Sequence, residues 1–165
     1  MTSSTSSAST TLKPTQGSKA AGTVSFTQRG DKIRVVASVT GLAPGLHGFH
    51  VHEKGDCSAP DAMSAGGHFN PHGKAHGDAR ADERHAGDLG NLTADQEGNA
   101  TVDLEVDGLS VAAGAPNSVV GRAVVIHANP DDLKSQPAGN SGPRVACGVV
   151  AAESRPASPA RSSYY

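Results

Sequence analysis

The chain has few of the features that mark membrane, nucleic-acid-binding or helical proteins. It contains no tryptophan, and only 3% of its residues are aromatic. No apolar run approaches the length of a membrane span, and no basic stripe alternates with aromatic residues. The sequence therefore predicts neither a membrane nor a nucleic-acid partner. The 165 residues fit one domain, whose core must be built mainly from Val, Ile, Leu and Ala.

Cysteine is also scarce, and this limits the redox and metal chemistry that thiols could supply. The two cysteines, Cys57 and Cys147, do not form a C-x-x-C motif, which argues against a redox-active pair or a zinc knuckle. They are either two buried thiols or one disulfide. A disulfide would close a loop of about 90 residues, stabilise the fold by roughly 4–5 kcal/mol and favour an oxidising compartment.

No segment combines helical periodicity with capping residues, whereas several short segments alternate apolar and polar residues. In Lys32–Thr40, one face carries Ile33, Val35, Ala37 and Val39. Further strands are predicted at 46–52, 91–93, 100–106, 121–127 and 144–151, and weaker ones at 9–13, 22–28 and 109–112. About eight short antiparallel strands indicate an all-β sandwich or barrel.

The histidines form the most informative pattern in the chain. Residues two apart on a strand share a face, so the pair in His-Val-His at 50–52 points to one side. A His-x7-His-x8-His-x2-Asp series follows, and one more histidine ends the predicted strand 121–127. The candidate ligands are His50, His52, His68, His76, His85, Asp88 and His127. Six imidazoles and one carboxylate exceed one tetrahedral site, so the sequence predicts two metal ions.

Two long stretches, 53–89 and 128–143, carry no strand pattern. Loops of this length are usually functional or disordered, and the first holds four of the seven candidate ligands, which favours function. The Ser/Thr-rich residues 1–8 and the proline-containing tail 153–165 are predicted to be flexible, leaving a domain at 9–152. The N-terminus shows no apolar segment typical of a secretory signal, so a signal is expected to be absent or removed.

Five stretches of the sequence, taken together, carry a resemblance to a known family. They are GLHGFHVHE at 45–53, GHFNP at 67–71, RHAGDLGN at 84–91, VIH at 125–127 followed by Asp131 and Asp132, and GNSGPRVACG at 139–148. Together they resemble the copper/zinc superoxide dismutase family over about residues 9–152. GDCSAP at 55–60 resembles its bacterial branch. The resemblance implies an eight-stranded antiparallel Greek-key β-barrel, of immunoglobulin-like sandwich architecture, with two long functional loops.

The resemblance also implies a role for each site residue. The copper ligands would be His50, His52, His68 and His127, and the zinc ligands would be His68, His76, His85 and Asp88. His68 would thus bridge the two ions. Asp131 would hydrogen-bond to His50 and His76, Arg144 would attract the anion near copper, and Cys57 would be disulfide-bonded to Cys147. The neighbouring Asp132 is expected to be a solvated loop acid.

The implied activity is the conversion of superoxide to O2 and H2O2 by redox cycling of copper, with zinc as a structural and tuning ion. His68 and Arg144 would be the catalytic residues. The resemblance allows a homodimer and a periplasmic or otherwise extracytoplasmic location, with a cytoplasmic one as the alternative. The rival function is a non-catalytic copper/zinc-binding module on the same fold. A binuclear zinc hydrolase fits such an acid-poor site less well.

The loop between Asp131 and Arg144 is several residues shorter than in the eukaryotic members of the family. It lacks their Glu-Glu and Lys cluster and contains one lysine, Lys134. Steering of superoxide is therefore expected from Lys134, Lys54 or another part of the chain.

Overall fold

A computed structural model describes residues 7–71, 73–77, 84–112, 114–133, 139 and 141–152. Nine strands occur in this part of the chain, with one three-residue 3-10 helix, Met63–Ala65, and no α-helix. The strands are β1 (Ser7–Pro14), β2 (Ala21–Arg29), β3 (Lys32–Thr40), β4 (Gly45–His52), β5 (Asp88–Ala94), β6 (Ala100–Asp107), β7 (Ala123–His127), β8 (Arg144–Val149) and β9 (Ala151–Ala152). The predicted all-β class is confirmed.

The first eight strands form a nearly closed antiparallel barrel of Greek-key type. Hydrogen-bonded neighbours follow the order β5-β4-β7-β8-β1-β2-β3-β6, and the short β9 pairs with β1. Strands β5 and β6 contact each other across the remaining seam. The order places β4 between β5 and β7, which brings three ligand-bearing strands side by side.

The alternation predicted for β3 is confirmed, because Ile33, Val35, Ala37 and Val39 are buried, whereas the residues between them are exposed or half-buried. The barrel interior is filled by aliphatic side chains and by two phenylalanines, Phe26 and Phe49, both fully buried. Packing of branched aliphatic residues between strands thus supplies the core that the few aromatics cannot.

Two predictions are wrong, several strand ends differ by one to three residues, and the predicted strand 144–151 is divided at Val150 into β8 and β9. The predicted strand 109–112 is absent: Ser110 makes only an isolated bridge with Ser118, because Gly108, at φ 86°, turns the chain directly after β6. Strand β1 begins at Ser7, and Ala8 is buried and pairs with Phe26, so two residues assigned to the flexible N-terminus belong to the barrel. Residues 1–6 and 153–165 lie outside the described residues, and their flexibility stays a prediction.

Strand β4 is buried on both faces from His47 to His52 and pairs with β7 on one side. The register of β7 against β8 shifts between Ile126 and His127, and the register of β4 against β5 shifts between Gly48 and His50. Such irregularities re-aim side chains near the end of a strand. Gly48 has no room for a β-carbon, which would lie 2.4 Å from Ser141 Oγ, so the loop before β8 can approach β4 closely.

The long loop after β4 is fastened to the barrel by a disulfide between Cys57 and Cys147 of β8. The sequence left free thiols as an alternative, and the disulfide is the form present. A second hydrophobic cluster surrounds it, formed by Ala62, Ala65, Ala123, Val125 and Cys147. The bonded segment therefore packs against β7 and β8, the strands that lead to the candidate site.

Removal of this disulfide should reduce stability strongly. A Cys57→Ala/Cys147→Ala double variant is expected to lose roughly 4–5 kcal/mol of unfolding free energy, because the reduced chain regains the entropy of a 90-residue loop. Urea unfolding of both proteins in their metal-free forms would measure the difference. The Cys57→Ala single variant should lose a similar amount, and unchanged unfolding free energies would contradict the prediction.

Candidate metal centre

Two groups of possible ligand atoms adjoin each other at one side of the barrel. The first contains His50, His52, His68 and His127, and the second contains His68, His76, His85 and Asp88. All seven residues are buried, and the ligand atoms within each group lie within 4.8 Å of one another. The structure thus brings together every candidate ligand named from the sequence, and His68 belongs to both groups.

The first group presents four ring nitrogens that have no hydrogen-bond partner. These atoms are His50 Nδ1, His52 Nε2, His68 Nε2 and His127 Nε2. The only other such buried side-chain atom among the described residues is Ser141 Oγ. A buried polar atom without a partner costs free energy, so four of them facing one another indicate a bound group. Four imidazole nitrogens are a donor set that suits copper.

The opposite nitrogen of three of these rings is held by the protein. His50 Nε2 lies 2.7 Å from Asp131 Oδ2, His52 Nδ1 lies 2.8 Å from the Gly66 carbonyl oxygen, and His127 Nδ1 lies 3.2 Å from that of Gly142. An N–H donated to each of these oxygens fixes the tautomer. The inward nitrogen is then a free lone pair, which is the arrangement of a metal ligand.

Burial keeps the first group in its metal-binding protonation state. Desolvation lowers the pKa of His127 to about 3 and that of His68 to about 4, and it holds the pKa of His52 well below its ordinary value. These rings are therefore neutral at pH 7. Neutral imidazole is the form that binds a metal, so little free energy is lost to deprotonation.

The second group is compact, with three imidazoles arranged around one carboxylate. The Nδ1 atoms of His68, His76 and His85 lie 2.8, 2.9 and 3.5 Å from Asp88 Oδ1. The backbone N–H groups of His85 and Gly77 donate to Asp88 Oδ2 and fix the carboxylate. Three nitrogens and one oxygen form a closed four-ligand set of the kind that holds structural zinc.

The carboxylate of this group is ionised. Burial raises the pKa of Asp88, but hydrogen bonds from His68, His76 and His85 outweigh burial and hold it well below its usual range. Asp88 therefore offers a negative charge at the centre of the group, which stabilises a divalent cation there.

Asp131 connects the two groups from outside. Its Oδ2 accepts from His50 Nε2 and its Oδ1 from His76 Nε2, both at 2.7 Å. Asn91 fixes the Asp131 backbone in both directions, donating to its carbonyl at 3.0 Å and accepting from its N–H at 2.7 Å. One carboxylate thus orients a ring from each group. Asn91 belongs to the RHAGDLGN stretch, but its residue type and spacing did not indicate this role.

An open channel of about 490 Å³ leads to the first group. It is lined by Thr15, Gln16, Pro60, Asp61, Met63, His127, Ser141, Gly142, Pro143 and Arg144. Arg144 donates from Nη1 to the Ala62 carbonyl oxygen at 2.9 Å. Burial lowers the pKa of Arg144, yet a guanidinium stays charged at neutral pH. The channel therefore presents a fixed positive charge next to His127, suited to a small anion.

Ala62, whose carbonyl accepts from Arg144, carries no signal of this role in the sequence. It is fully buried and adopts left-handed φ and ψ angles of 62° and 14°, which are uncommon for a residue with a β-carbon. Its side chain packs in the second hydrophobic cluster and its carbonyl faces the guanidinium. The disulfide-bonded loop therefore supplies the support for Arg144.

His47 and the two expected steering lysines fall outside the two groups. His47 has Nδ1 2.8 Å from the His127 carbonyl oxygen and Nε2 2.6 Å from that of Ala43. It thereby fixes the backbone of a candidate ligand. Lys54 is exposed and is not among the residues lining the channel. Lys134, the other expected source of steering, lies outside the described residues.

An antiparallel barrel that carries two adjoining histidine-rich ligand groups and an arginine-lined channel defines a metalloenzyme class that acts on a small anion. The family model for copper/zinc superoxide dismutase (SODC) matches residues 20–150. The chain belongs to the copper/zinc superoxide dismutase family and is an oxidoreductase that dismutates superoxide. Copper and zinc are the metals of this family. No helix within the described ranges is long and apolar enough to cross a membrane.

Proposed function

We propose that the chain dismutates superoxide with copper bound by His50, His52, His68 and His127 and zinc bound by His68, His76, His85 and Asp88. Copper supplies one-electron redox chemistry when bound, whereas zinc is redox-inactive and has a structural and tuning role. The observation that carries the proposal is the set of four partnerless nitrogens beside a closed three-histidine, one-aspartate group. The donor types in each group fit the proposed metal.

The protein's own part begins with orientation of the ligands. Asp131 and the carbonyls of Gly66 and Gly142 hold the outer nitrogens, so the inner lone pairs need no rearrangement to bind. His68 is the one ring whose Nδ1 faces the second group while its Nε2 faces the first. Because Nδ1 is directed at Asp88 of the second group, Nε2 is the atom of this ring that would hold a proton and donate it during the reaction.

Arg144 is proposed to attract superoxide and hold it beside His127. A fixed guanidinium beside the channel favours entry of an anion and needs little reorganisation when the anion arrives. The hydrogen bond to Ala62 supports this role, because it restricts where the guanidinium can point.

Asp61 places a negative charge in the same channel and should slow the reaction. Its carboxylate is held by the Met63 backbone N–H at 3.0 Å, and its charge acts on Arg144. An Asp61→Asn variant is expected to raise kcat/KM for superoxide by roughly two- to threefold, because one exposed charge in water is worth less than about 1 kcal/mol. Pulse radiolysis at low ionic strength would measure it.

The matched control for Asp61 is Asp103→Asn, which removes an exposed carboxylate from the middle of β6, where it pairs with Arg34. It should leave the rate within experimental error. The gain in Asp61→Asn should shrink as salt is added, since screening weakens charge effects. An equal or lower rate for Asp61→Asn at every ionic strength would contradict the prediction.

The test of the proposed function is loading with copper and zinc, followed by metal analysis and a superoxide-loss assay. We expect one copper and one zinc per chain and, with a chelator present to suppress free copper, a rate that rises in proportion to the protein-bound copper. A loaded protein with two metals and a rate no greater than the chelated-copper background would instead support the non-catalytic binding module. Anomalous scattering at both metal edges would then assign each ion to its group.

We also propose that the protein works outside the cytoplasm, in a bacterial periplasm or an equivalent space. The support is the disulfide, because such bonds persist in oxidising compartments and are rare in reducing ones. GDCSAP at 55–60 supports the bacterial type. Fractionation of the source cells tests the location, and sedimentation of the loaded protein tests whether it is a homodimer.

A further inference from the structure

Arg84 is a buried cation directly before the turn that carries two ligands of the second group, His85 and Asp88. Its exposed fraction is 9%, and the activity described above assigns it no role. No ion pair with a carboxylate is found for it among the described residues. A buried charge is expensive unless its hydrogen bonds are well satisfied, so its position calls for a specific function.

The guanidinium of Arg84 donates only to backbone carbonyls in the described chain. Nη1 donates to His85 at 2.9 Å and to Ala86 at 3.1 Å, and Nη2 donates to Asp107 at 2.5 Å. Asp107 is the last residue of β6, whereas His85 and Ala86 belong to the turn before β5. One side chain thus ties the ligand-bearing turn to a different strand, across the seam where β5 and β6 are not hydrogen-bonded.

Apart from Arg84, the backbone of His85 is hydrogen-bonded to Asp88 alone among the described residues. The His85 carbonyl accepts from the Asp88 N–H at 3.0 Å, and the His85 N–H donates to Asp88 Oδ2 at 2.8 Å. Gly87 ties the same turn to β4 and the loop after it, accepting from the Val51 N–H and donating to the Phe69 carbonyl, both at 2.9 Å. The Arg84 contact to Asp107 is different, because it connects the turn to β6, on the other side of the seam.

We propose that Arg84 is a positioning residue of the second metal group. It holds the His85 backbone so that His85 Nδ1 meets His68 Nδ1 and Asp88 Oδ1. Arginine suits this role because its planar fork reaches carbonyls on two elements at once, which a lysine ammonium cannot do with the same geometry. The inference rests on the proposed assignment of zinc to this group.

The experiment compares Arg84→Gln and Arg84→Lys with the unaltered chain in zinc competition against a chelator. We expect zinc affinity to fall roughly 10- to 100-fold in both variants, the range seen when partners that orient metal ligands are removed. Copper affinity, measured with zinc saturating, should change by less than about twofold, since Arg84 touches no residue unique to the first group. Cobalt in the zinc position should give an altered visible spectrum.

The control is Arg34→Gln, which removes an exposed arginine paired with Asp103 far from the metal groups. It should leave both affinities and the cobalt spectrum unchanged. Unchanged zinc affinity in both Arg84 variants would overturn the inference while leaving the proposed function intact. Equal weakening of zinc and copper would also overturn it, since that pattern reports general loosening. An unaltered chain without tight zinc binding would overturn the proposed function and this inference together.

Discussion

Replacement of His127 by alanine is expected to abolish dismutase activity while zinc stays bound. His127 contributes Nε2 to the first group and has no ligand atom in the second. Loss of a direct ligand should exceed the effect of losing a partner that orients one, so copper affinity and activity should each fall by more than roughly 100-fold. Metal analysis after dialysis, with the assay on the same samples, measures both.

His85→Ala is the corresponding variant of the second group, because His85 belongs to that group alone. It should lose zinc and keep copper, so the two variants together separate the sites. His127→Ala and His85→Ala proteins that each lost both metals equally would contradict the division into a copper and a zinc group. Retention of full activity by His127→Ala would contradict the copper assignment itself.

The strands were predictable because they bury one face. In β3, Ile33, Val35, Ala37 and Val39 face the core, whereas the residues between them, all polar except Val36, are exposed or half-buried, as a period of two predicts. The predicted strand 109–112 failed for a related reason. Leu109 and Val111 are buried as a strand would bury them, but a left-handed Gly108 and the contact between Ser110 and Ser118 make that segment a turn-linked loop.

The candidate ligands were also predictable, because imidazoles at strand spacing and in a dense loop series have few other uses. Of the groups that orient them, Asp131 was expected from the family resemblance, and it does accept from His50 and His76; the others were not predictable. Gly66 and Gly142 act through backbone carbonyls, which leave no signature in side-chain types. Asn91 and Asp131 meet across 40 positions of sequence, and Ala62 meets Arg144 across 82. Such contacts depend on how two loops fold over the barrel, which periodicity does not specify.

Gly139 shows how closely the second loop approaches the site. Its φ is 76°, and an ideal β-carbon would lie 1.9 Å from Asp131 Oδ1 and 2.5 Å from His76 Nε2. Both distances are much shorter than a van der Waals contact. The absence of a side chain at this position is therefore what allows Asp131 to hydrogen-bond with His76 beneath the loop.

A Gly139→Ala variant is expected to weaken binding of both metals. The added methyl group must displace the Asp131 carboxylate, which orients His50 of one group and His76 of the other. We expect roughly 10- to 100-fold lower affinity for each metal, as for loss of other groups that orient ligands. Competition titrations with zinc and with copper measure the change, and the copper spectrum should shift because His50 is no longer fixed.

The matched control is Gly17→Ala, because Gly17 also has a left-handed φ, 83°, but no atom within 4 Å of its ideal β-carbon. Backbone strain alone should cost about 1–2 kcal/mol of stability in either variant. Any loss of metal affinity beyond that of Gly17→Ala therefore measures the displacement of Asp131. If the two variants bound copper and zinc equally well, the Asp131 carboxylate would not be what holds His50 and His76 in their binding orientation.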